Sequence, residues 1–464
     1  MPTTSRALFL VGPTLMLTAV LATLWLAPAA CADDAVAMIV ELVAGDDADM
    51  RAIGLDQLRH GAKGEAATRA FATLLEKQPA ARQVELVRAL ADRGDAAALP
   101  ALVALLGRST EATVRTAVLT ALGSLGSGAE VPVLLESLAA GDPERSAARR
   151  ALIAVRGDAA VQKLVAAAKS GDAALRPMLI DILGERRVRS ALPDLAALAT
   201  SGDSGIRQAA MRALGLLGDA AQVPSLVAGV LAAPAGGERQ AAERAVVAVC
   251  TKNPGHPEAA RAFLDSFKSA TAADQEALLS VLGAIGGAGA LTIVDELIAS
   301  PDAAKRAFGL KAISRWPDAT VAPRLVELVG KARDQAERDL LLGALIRIAP
   351  LPDNKLDDAK KLDLVKETLA LCSTDAERSR LLERASAIRT FETFQFIVPF
   401  LDQPALAAPA SKSVVELAHH QKLRDAHKPE FLAALDKVLA TTKDAELVDR
   451  ATRYKEGKTW ERKK

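Results

Sequence analysis

The sequence predicts an all-α fold, an α-solenoid (α-α superhelix) of about thirteen stacked antiparallel helix pairs. Three observations predict it. Half of the 464 residues are hydrophobic while only 3% are aromatic, so the apolar content is mostly Ala, Leu and Val; Ala and Leu are the strongest helix formers and lose little side-chain freedom there. The stretch IRQAAMRALGLLGDAAQVPSLV at 206–227 repeats, in outline, VRTAVLTALGSLGSGAEVPVLL at 114–135. The length also exceeds the roughly 250–300 residues at which a single core stops growing, so the core must be divided or elongated.

The N-terminal stretch has Arg6 as its one charged residue before Asp33, then an uncharged run from Ala7 to Ala27, then small residues ending in Ala30-Cys31-Ala32. This is the layout of a secretory signal peptide, residues 1–32, with Ala30 and Ala32 at the cleavage positions. Two other readings stand beside it. The apolar run is about the ~20 residues that span a bilayer, which suits a retained N-terminal membrane anchor. Cys31 suits a lipoprotein, although Pro28 occupies the place three before it where bacterial lipoproteins carry a Leu-like residue. All three put the rest of the chain outside the cytoplasm, in the periplasm or cell envelope. Net charge is +1, and without the leader 57 basic residues face 57 acidic ones. Such a balance excludes nucleic acid as the main ligand, which calls for a basic surface.

In the 206–227 stretch, Ile206, Ala210, Ala213, Leu214 and Leu217 recur at spacings of three and four, one face of a helix. Gly218 and Asp219 break it, and Val223, Leu226, Val227, Val230 and Leu231 begin a second stripe. Neither helix buries its face alone, so the unit must stack on its neighbours. Pro100, Pro132, Pro193 and Pro224 mark the period, at intervals of 32, 61 and 31, with Lys163 in the missed slot; each proline belongs in or just past a first helical turn. The partner helix opens on STEATVR to Arg115, SGDAALR to Arg176 and SGDSGIR to Arg207, whose Ser, Thr and Asp supply capping oxygens.

A Pro early in the first helix, an Asp in the turn, Val-Arg or Ile-Arg opening the second helix and A-L-G-x-L-G closing it resemble HEAT repeats, in particular the short PBS-lyase HEAT-like variety. The resemblance covers nearly the whole mature chain, is strongest from Asp95 to Gly289, with residues 33–348 as the regular HEAT-like array, and specifies fold far more than activity. It implies a ladder in which helix arginines Arg115, Arg176 and Arg207 pair with turn aspartates such as Asp172 and Asp203 of adjacent units. Because proteins with such repeats include enzymes that attach or detach bilin chromophores, it also implies a lyase-like alternative.

Beyond this array, residues 349–366 carry two prolines and alternating charges, which reads as a longer loop and a charged helix. Residues 349–454 then form divergent, Phe-richer repeats and a cap, and 455–464 a basic tail. Cys250 and Cys372 lie about four units apart, on the order of 30–40 Å at the usual helix spacing, too far for a disulfide; both read as buried thiols.

No motif carries catalysis. GDSG at 202–205 has the look of a serine-protease nucleophile loop, yet it fills the slot of Gly171-Asp172-Ala173-Ala174 one unit earlier. GAIGGAGA at 283–290 lacks the Gly-Lys-Ser/Thr ending of a phosphate-binding loop. His419, His420 and His427 cluster, and His420 and His427 at a spacing of seven read as one solvated helix face rather than a metal site. Phe391, Phe394, Phe396 and Phe400 read as core, or as an exposed patch for a partner. The closing TRYKEGKTWERKK, six basic residues against two acidic, reads as a solvated tail, or as a contact to an anionic membrane or envelope polymer. The sequence therefore predicts no catalytic, cofactor-binding or metal-ligating residue and no cofactor, and assigns no binding position. The expected function is that of an exported, non-enzymatic scaffold of a bacterial cell envelope that binds a protein partner through its concave face, with an architectural or polymer-binding component as the alternative.

Overall fold

The computed structural model describes residues 29–253, 255–352 and 355–460. The predicted leader from Ala7 to Ala27 lies outside them; the predicted cleavage position after Ala32 falls in the first described helix, Ala29–Ala44. No helix among the described residues is long and apolar enough to cross a membrane.

Helices alternate along the chain as an A helix and a B helix joined by a short turn. Thirteen such pairs account for the described α-helices, with one short extra helix, Gln421–Ala426, inserted before the last A helix. The B helices are Ala48–His60, Ala80–Arg93, Ala112–Leu125, Glu144–Ala154, Arg176–Glu185, Ser204–Leu217, Gly237–Thr251, Ala272–Ile285, Ala303–Ile313, Gln335–Ile348, Asp375–Ala385, Ala407–His419 and Ala445–Lys455. The chain divides into two compact units, Met1–Asp194 and Leu195–Lys464. In the first, each B helix from Ala48–His60 to Arg176–Glu185 packs on the next; in the second, the same holds from Ser204–Leu217 to the last. Residues 349–352 and 355–357, which form no helix, and the charged helix Asp358–Leu371 lie within the second unit; residues 353 and 354 of the predicted loop lie outside the described residues.

The apolar stripes are the core. Ile206, Ala210, Ala213, Leu214 and Leu217 are all buried, as are Val223, Leu226, Val227 and Val230, while Leu231 is half-buried. Each fully buried Leu or Val contributes about 1.5–3 kcal/mol relative to exposure, more than the ~0–1 kcal/mol of a surface ion pair. Packing therefore sets stability.

The A-L-G-x-L-G motif has a steric meaning. Its first glycine sits where one B helix crosses the next: a Cβ on Gly123 would lie 2.6 Å from Ala151 Cα, on Gly215 3.0 Å from Ala245 Cα, and on Gly283 2.1 Å from the Ala312 carbonyl oxygen. The alanine opposite completes the fit, because two small residues let the backbones meet. Its second glycine stops the helix, at Gly126, Gly218 and Gly286.

Helix starts follow the predicted chemistry. Pro100, Pro132 and Pro224 stand in the first turn of their A helices, and Lys163, where the proline is missing, donates to the Gly128 carbonyl 2.9 Å away. Aspartate is the recurrent cap: Asp47, Asp203, Asp302, Asp334, Asp357 and Asp444 each accept from the amide two or three residues on. Such a cap stabilises a helix by about 1 kcal/mol. Thr374 with Glu377 forms a capping box, in which each side chain takes up the other residue's amide.

Candidate interaction surfaces

The arginine that recurs near the start of most B helices, its place held in Ala272–Ile285 by Gln275, whose Nε2 donates to Phe267 O (3.0 Å), has two tasks. Within its own repeat it reaches the frayed carbonyls ending the A helix: Arg115 Nη1 donates to Leu106 O (2.6 Å), Arg176 Nε to Ala168 O (3.0 Å), Arg207 Nη1 to Ser201 O (2.6 Å), Arg239 Nη2 to Ala233 O (2.7 Å) and Arg306 Nη1 to Ile298 O (3.2 Å). A cation there satisfies orphan acceptors and meets the negative end of the helix dipole. Towards the next repeat, it pairs with glutamate: Arg115 with Glu144 (2.8 Å), Arg207 with Glu238 (2.5 Å), Arg306 with Glu337 (3.0 Å) and Arg338 with Glu377 (2.8 Å).

This corrects the predicted ladder. The arginines do tie adjacent units together, but through these glutamates; Asp172 and Asp203 instead accept from the local amides of Ala174 and Ile206. A short aspartate in the turn is committed to capping, whereas the longer glutamate reaches across. The sequence carries a signal for the partner, since each of these glutamates immediately precedes the next unit's own arginine: Glu144-Arg145, Glu238-Arg239, Glu337-Arg338 and Glu377-Arg378.

A second ladder runs along the other ends of the B helices. Arg93 Nη1 donates to the carbonyls of Leu58 (2.7 Å) and Gly61 (2.9 Å), Arg186 Nη1 to Leu152 (2.5 Å) and Val155 (2.7 Å), and Arg347 Nη2 to Ser314 (3.0 Å) and Trp316 (2.6 Å). Asn253 does the same to Gly215 (3.2 Å) and Gly218 (3.0 Å). Each side chain thus closes the B helix of the preceding repeat. Burial holds the Arg93, Arg186 and Arg347 guanidiniums below their ordinary pKa. The sequence signal for this ladder, not read above, is a basic or amide side chain at or just past the end of certain B helices: Arg93, Arg186, Asn253 and Arg347.

The exposed flank of the B helices bears a groove in each unit. In the first, a groove of about 730 Å³ runs between Ala80–Arg93 and Ala112–Leu125, walled by Val84, Ala91, Thr116, Ala117, Thr120 and Ala121, with Arg88 and Asp92 also lining it. Thr116 and Thr120 donate their hydroxyls to Ala112 O (2.7 Å) and Thr116 O (2.9 Å) of their own helix. That leaves their methyl groups as the apolar part of the wall. In the second unit a groove of about 490 Å³ lies over Gly237–Thr251, Ala272–Ile285 and Ala303–Ile313, and is charged, with Arg239, Glu243, Glu276, Lys311 and Arg315. Ser280 Oγ is buried there without a hydrogen-bond partner among the described residues.

The other sequence candidates resolve as follows. In GDSG, Asp203 caps and Ser204 opens the helix, its Oγ 2.6 Å from Glu238 Oε2, a carboxylate brace rather than a nucleophile's base. In GAIGGAGA, Gly283 lies in a helix crossing, and Gly286 and Gly287 make the turn with φ of +67° and +85°. Cys250 and Cys372 are both buried and unbridged; burial pushes their thiols up to about 12 and about 11, with Glu377 adding to the shift at Cys372. Among the described residues no group of three or more His, Cys, Asp or Glu is placed to hold a metal.

The histidines are not one solvated helix face. The helix ends at His419, the chain turns at His420, and His427 separates two further helices. His419 Nδ1 lies 2.9 Å from the Tyr454 hydroxyl, and His427 stacks on Phe391 at 3.6 Å. Of the four phenylalanines, Phe394 is buried and stacks on Phe431, while Phe391, Phe396 and Phe400 are half-buried. The solvated-tail reading agrees with residues 456–459, which are exposed, and is corrected at the two aromatic residues, while residues 461–464 lie outside the described ones. Tyr454 is buried in the last helix between Arg424 and Arg450, and Trp460 folds back to donate to Asp449 (3.0 Å) and to lie 5.0 Å from the Arg450 guanidinium. Large rings thus pack against the last described repeat.

No curated protein matches the chain. Among solved structures, Kap121p bound to Nup53p is 12% identical over 90% of this chain and 53% of its own, with a TM-score of 0.46. Importin beta is 12% identical over 90% of this chain and 72% of its own, TM-score 0.36. Human deoxyhypusine hydroxylase in complex with glycerol is 21% identical over 62% of this chain and 98% of its own, TM-score 0.25. This chain thus spans about half the length of Kap121p. The family model for HEAT repeats matches residues 68–153 and 161–247, the stretches that hold the first groove and the Arg207–Glu238 rung, and over them the chain is built of HEAT repeats.

Proposed function

We propose that the chain is an exported, non-enzymatic scaffold of a cell envelope that binds another protein through the flank of its B helices. The groove on the first unit carries this reading. Its wall comes from equivalent positions on successive repeats and presents alanine side chains and threonine methyls, with Arg88 and Asp92 beside them. Such a surface suits an apolar segment of a partner polypeptide, for which a concave apolar site with few polar groups gives affinity and orientation. Repetition also argues for binding: a solenoid multiplies one surface, whereas catalysis brings dissimilar groups together. Export rests on the leader, with its Ala30-Cys31-Ala32 ending.

The test is a cross-linking pull-down from intact cells with the native leader retained, comparing the wild-type chain with Thr116→Arg/Thr120→Arg. Both positions are on the groove wall and outside the core, so helix content should be unchanged. A single abundant envelope protein recovered by the wild type and lost in the variant is the expected outcome. Recovery of cell-wall or lipid material alone would replace the protein-binding reading with the architectural one.

A further inference from the structure

A third cleft, of about 370 Å³, lies in the second unit where the Pro350–Pro352 segment meets the C-terminal ends of Asp375–Ala385 and Ala407–His419. We propose that it binds a carboxylate side chain of an acidic partner segment, with Arg384, Arg389 and His420 as its recognition groups and Leu351 and Pro352 as the wall for a neighbouring apolar residue. The inference rests on the protein-binding reading above and names the chemistry of one contact.

The charge balance of the cleft carries it. Both of its acids are already engaged by cations that do not line it: Lys412 Nζ is 2.8 Å from Glu383, and Arg450 Nη1 is 2.7 Å from Glu416. The cleft's own cations lack that compensation. Arg384 donates to the Arg347 carbonyl at 3.1 Å, and Arg389, exposed, pairs with no acid among the described residues. What remains among the described residues is a concave site in which two guanidiniums and an imidazole stand beside two carboxylates, Glu383 and Glu416, that are each already paired with a cation from outside the cleft. Two helices also end here, which brings partial negative charge; the amides of Ala387, Ile388 and His420 take up carbonyls of Arg384, Ala385 and Leu417 and offset it. Planar guanidinium favours carboxylate, which it grips through two parallel donors. The apolar wall favours a polypeptide side chain over a bare anion.

His420 reports on the site. Burial lowers its pKa, and the neighbouring Arg389 and His419 lower it further against the raising effect of Glu416. The other charged groups around it are Arg384 and Glu383 across the cleft, and Arg450 and Arg424 behind it. A carboxylate seated between Arg389 and His420 favours the imidazolium, so binding must raise this pKa.

The experiment uses the full chain with isotope-labelled histidines, which give five signals, the His420 signal being assigned by its loss in His420→Gln. The probes are acetylated, amidated Leu-Glu-Leu-Glu, the matching Leu-Gln-Leu-Gln, and inorganic phosphate. The glutamate peptide should raise the His420 pKa by about half a unit to one unit and bind on the order of tenfold more weakly to Arg389→Gln. No movement of His420, equal movement with the glutamine peptide, or unchanged affinity in Arg389→Gln would overturn the site. Phosphate acting as strongly as the glutamate peptide would overturn its assignment to a peptide. These readouts are independent of the first groove: the protein-binding reading fails in the pull-down, and this one at His420.

Discussion

Burial by itself would raise the Glu377 carboxyl, but the amides of Thr374 and Ser373 and the Arg338 guanidinium bring it down to about 2. One side chain thus serves a capping box and the rung between two repeats. With a folded pKa below the ordinary 4.5, its stabilisation is fully present above about pH 4.5 and is lost as pH falls towards about 2. Glu377→Gln should cost on the order of 2 kcal/mol at pH 7, because the residue is buried and its charged hydrogen bonds are lost. Urea unfolding of both chains at pH 7 and pH 3 checks this: the gap between them should shrink by about half at pH 3. A gap independent of pH would assign the loss to packing instead.

At the scale of the helix, the glycine positions make a prediction that composition alone would get wrong. Glycine normally weakens a helix by about 1 kcal/mol relative to alanine, so replacing it should help. Gly343, in the interior of Gln335–Ile348, has nothing within 4 Å of a built Cβ, and Gly343→Ala should stabilise by about 0.5–1 kcal/mol. Gly283→Ala should instead destabilise by about 1–3 kcal/mol, because its Cβ would meet the Ala312 carbonyl oxygen at 2.1 Å and two helices would have to separate. Thermal melting of the two variants should move in opposite directions; a stabilised Gly283→Ala would mean the crossing is looser than its geometry. Much at this scale was legible in the sequence: the helix pairs, the capping aspartates, the proline slots and the buried stripes all follow from local spacing. What was not legible depends on the next repeat. The glutamate partners, the carbonyls closed by Arg93 and Arg186, and the contact of His419 with Tyr454 join residues about thirty positions apart or more, and Trp460 reaches its partners only by folding back on the last helix. The grooves were illegible for the same reason, since Arg88 and Thr116 become neighbours only after two helices pack.

The molecule as a whole inherits its cooperativity from those same contacts. Apolar packing, the Arg–Glu rungs and the carbonyl-closing arginines all join one repeat to the next, so each repeat owes its stability to its two neighbours. A lesion should then be felt locally and fade along the chain. In Gly283→Ala, hydrogen exchange should accelerate in the crossing helices Ala272–Ile285 and Ala303–Ile313 and in Gly237–Thr251, which packs on the first of them. Protection in Ala80–Arg93 and Ala112–Leu125, in the first compact unit, should be unchanged. Equal acceleration in both regions would mean that the array opens in one step, and that the repeats share one cooperative core in place of a chain of nearest-neighbour couplings. The local outcome has a functional consequence: the grooves of the two units could then be disabled one at a time, so that Gly283→Ala should leave binding at the Thr116 groove intact while loosening the charged groove over Gly237–Thr251.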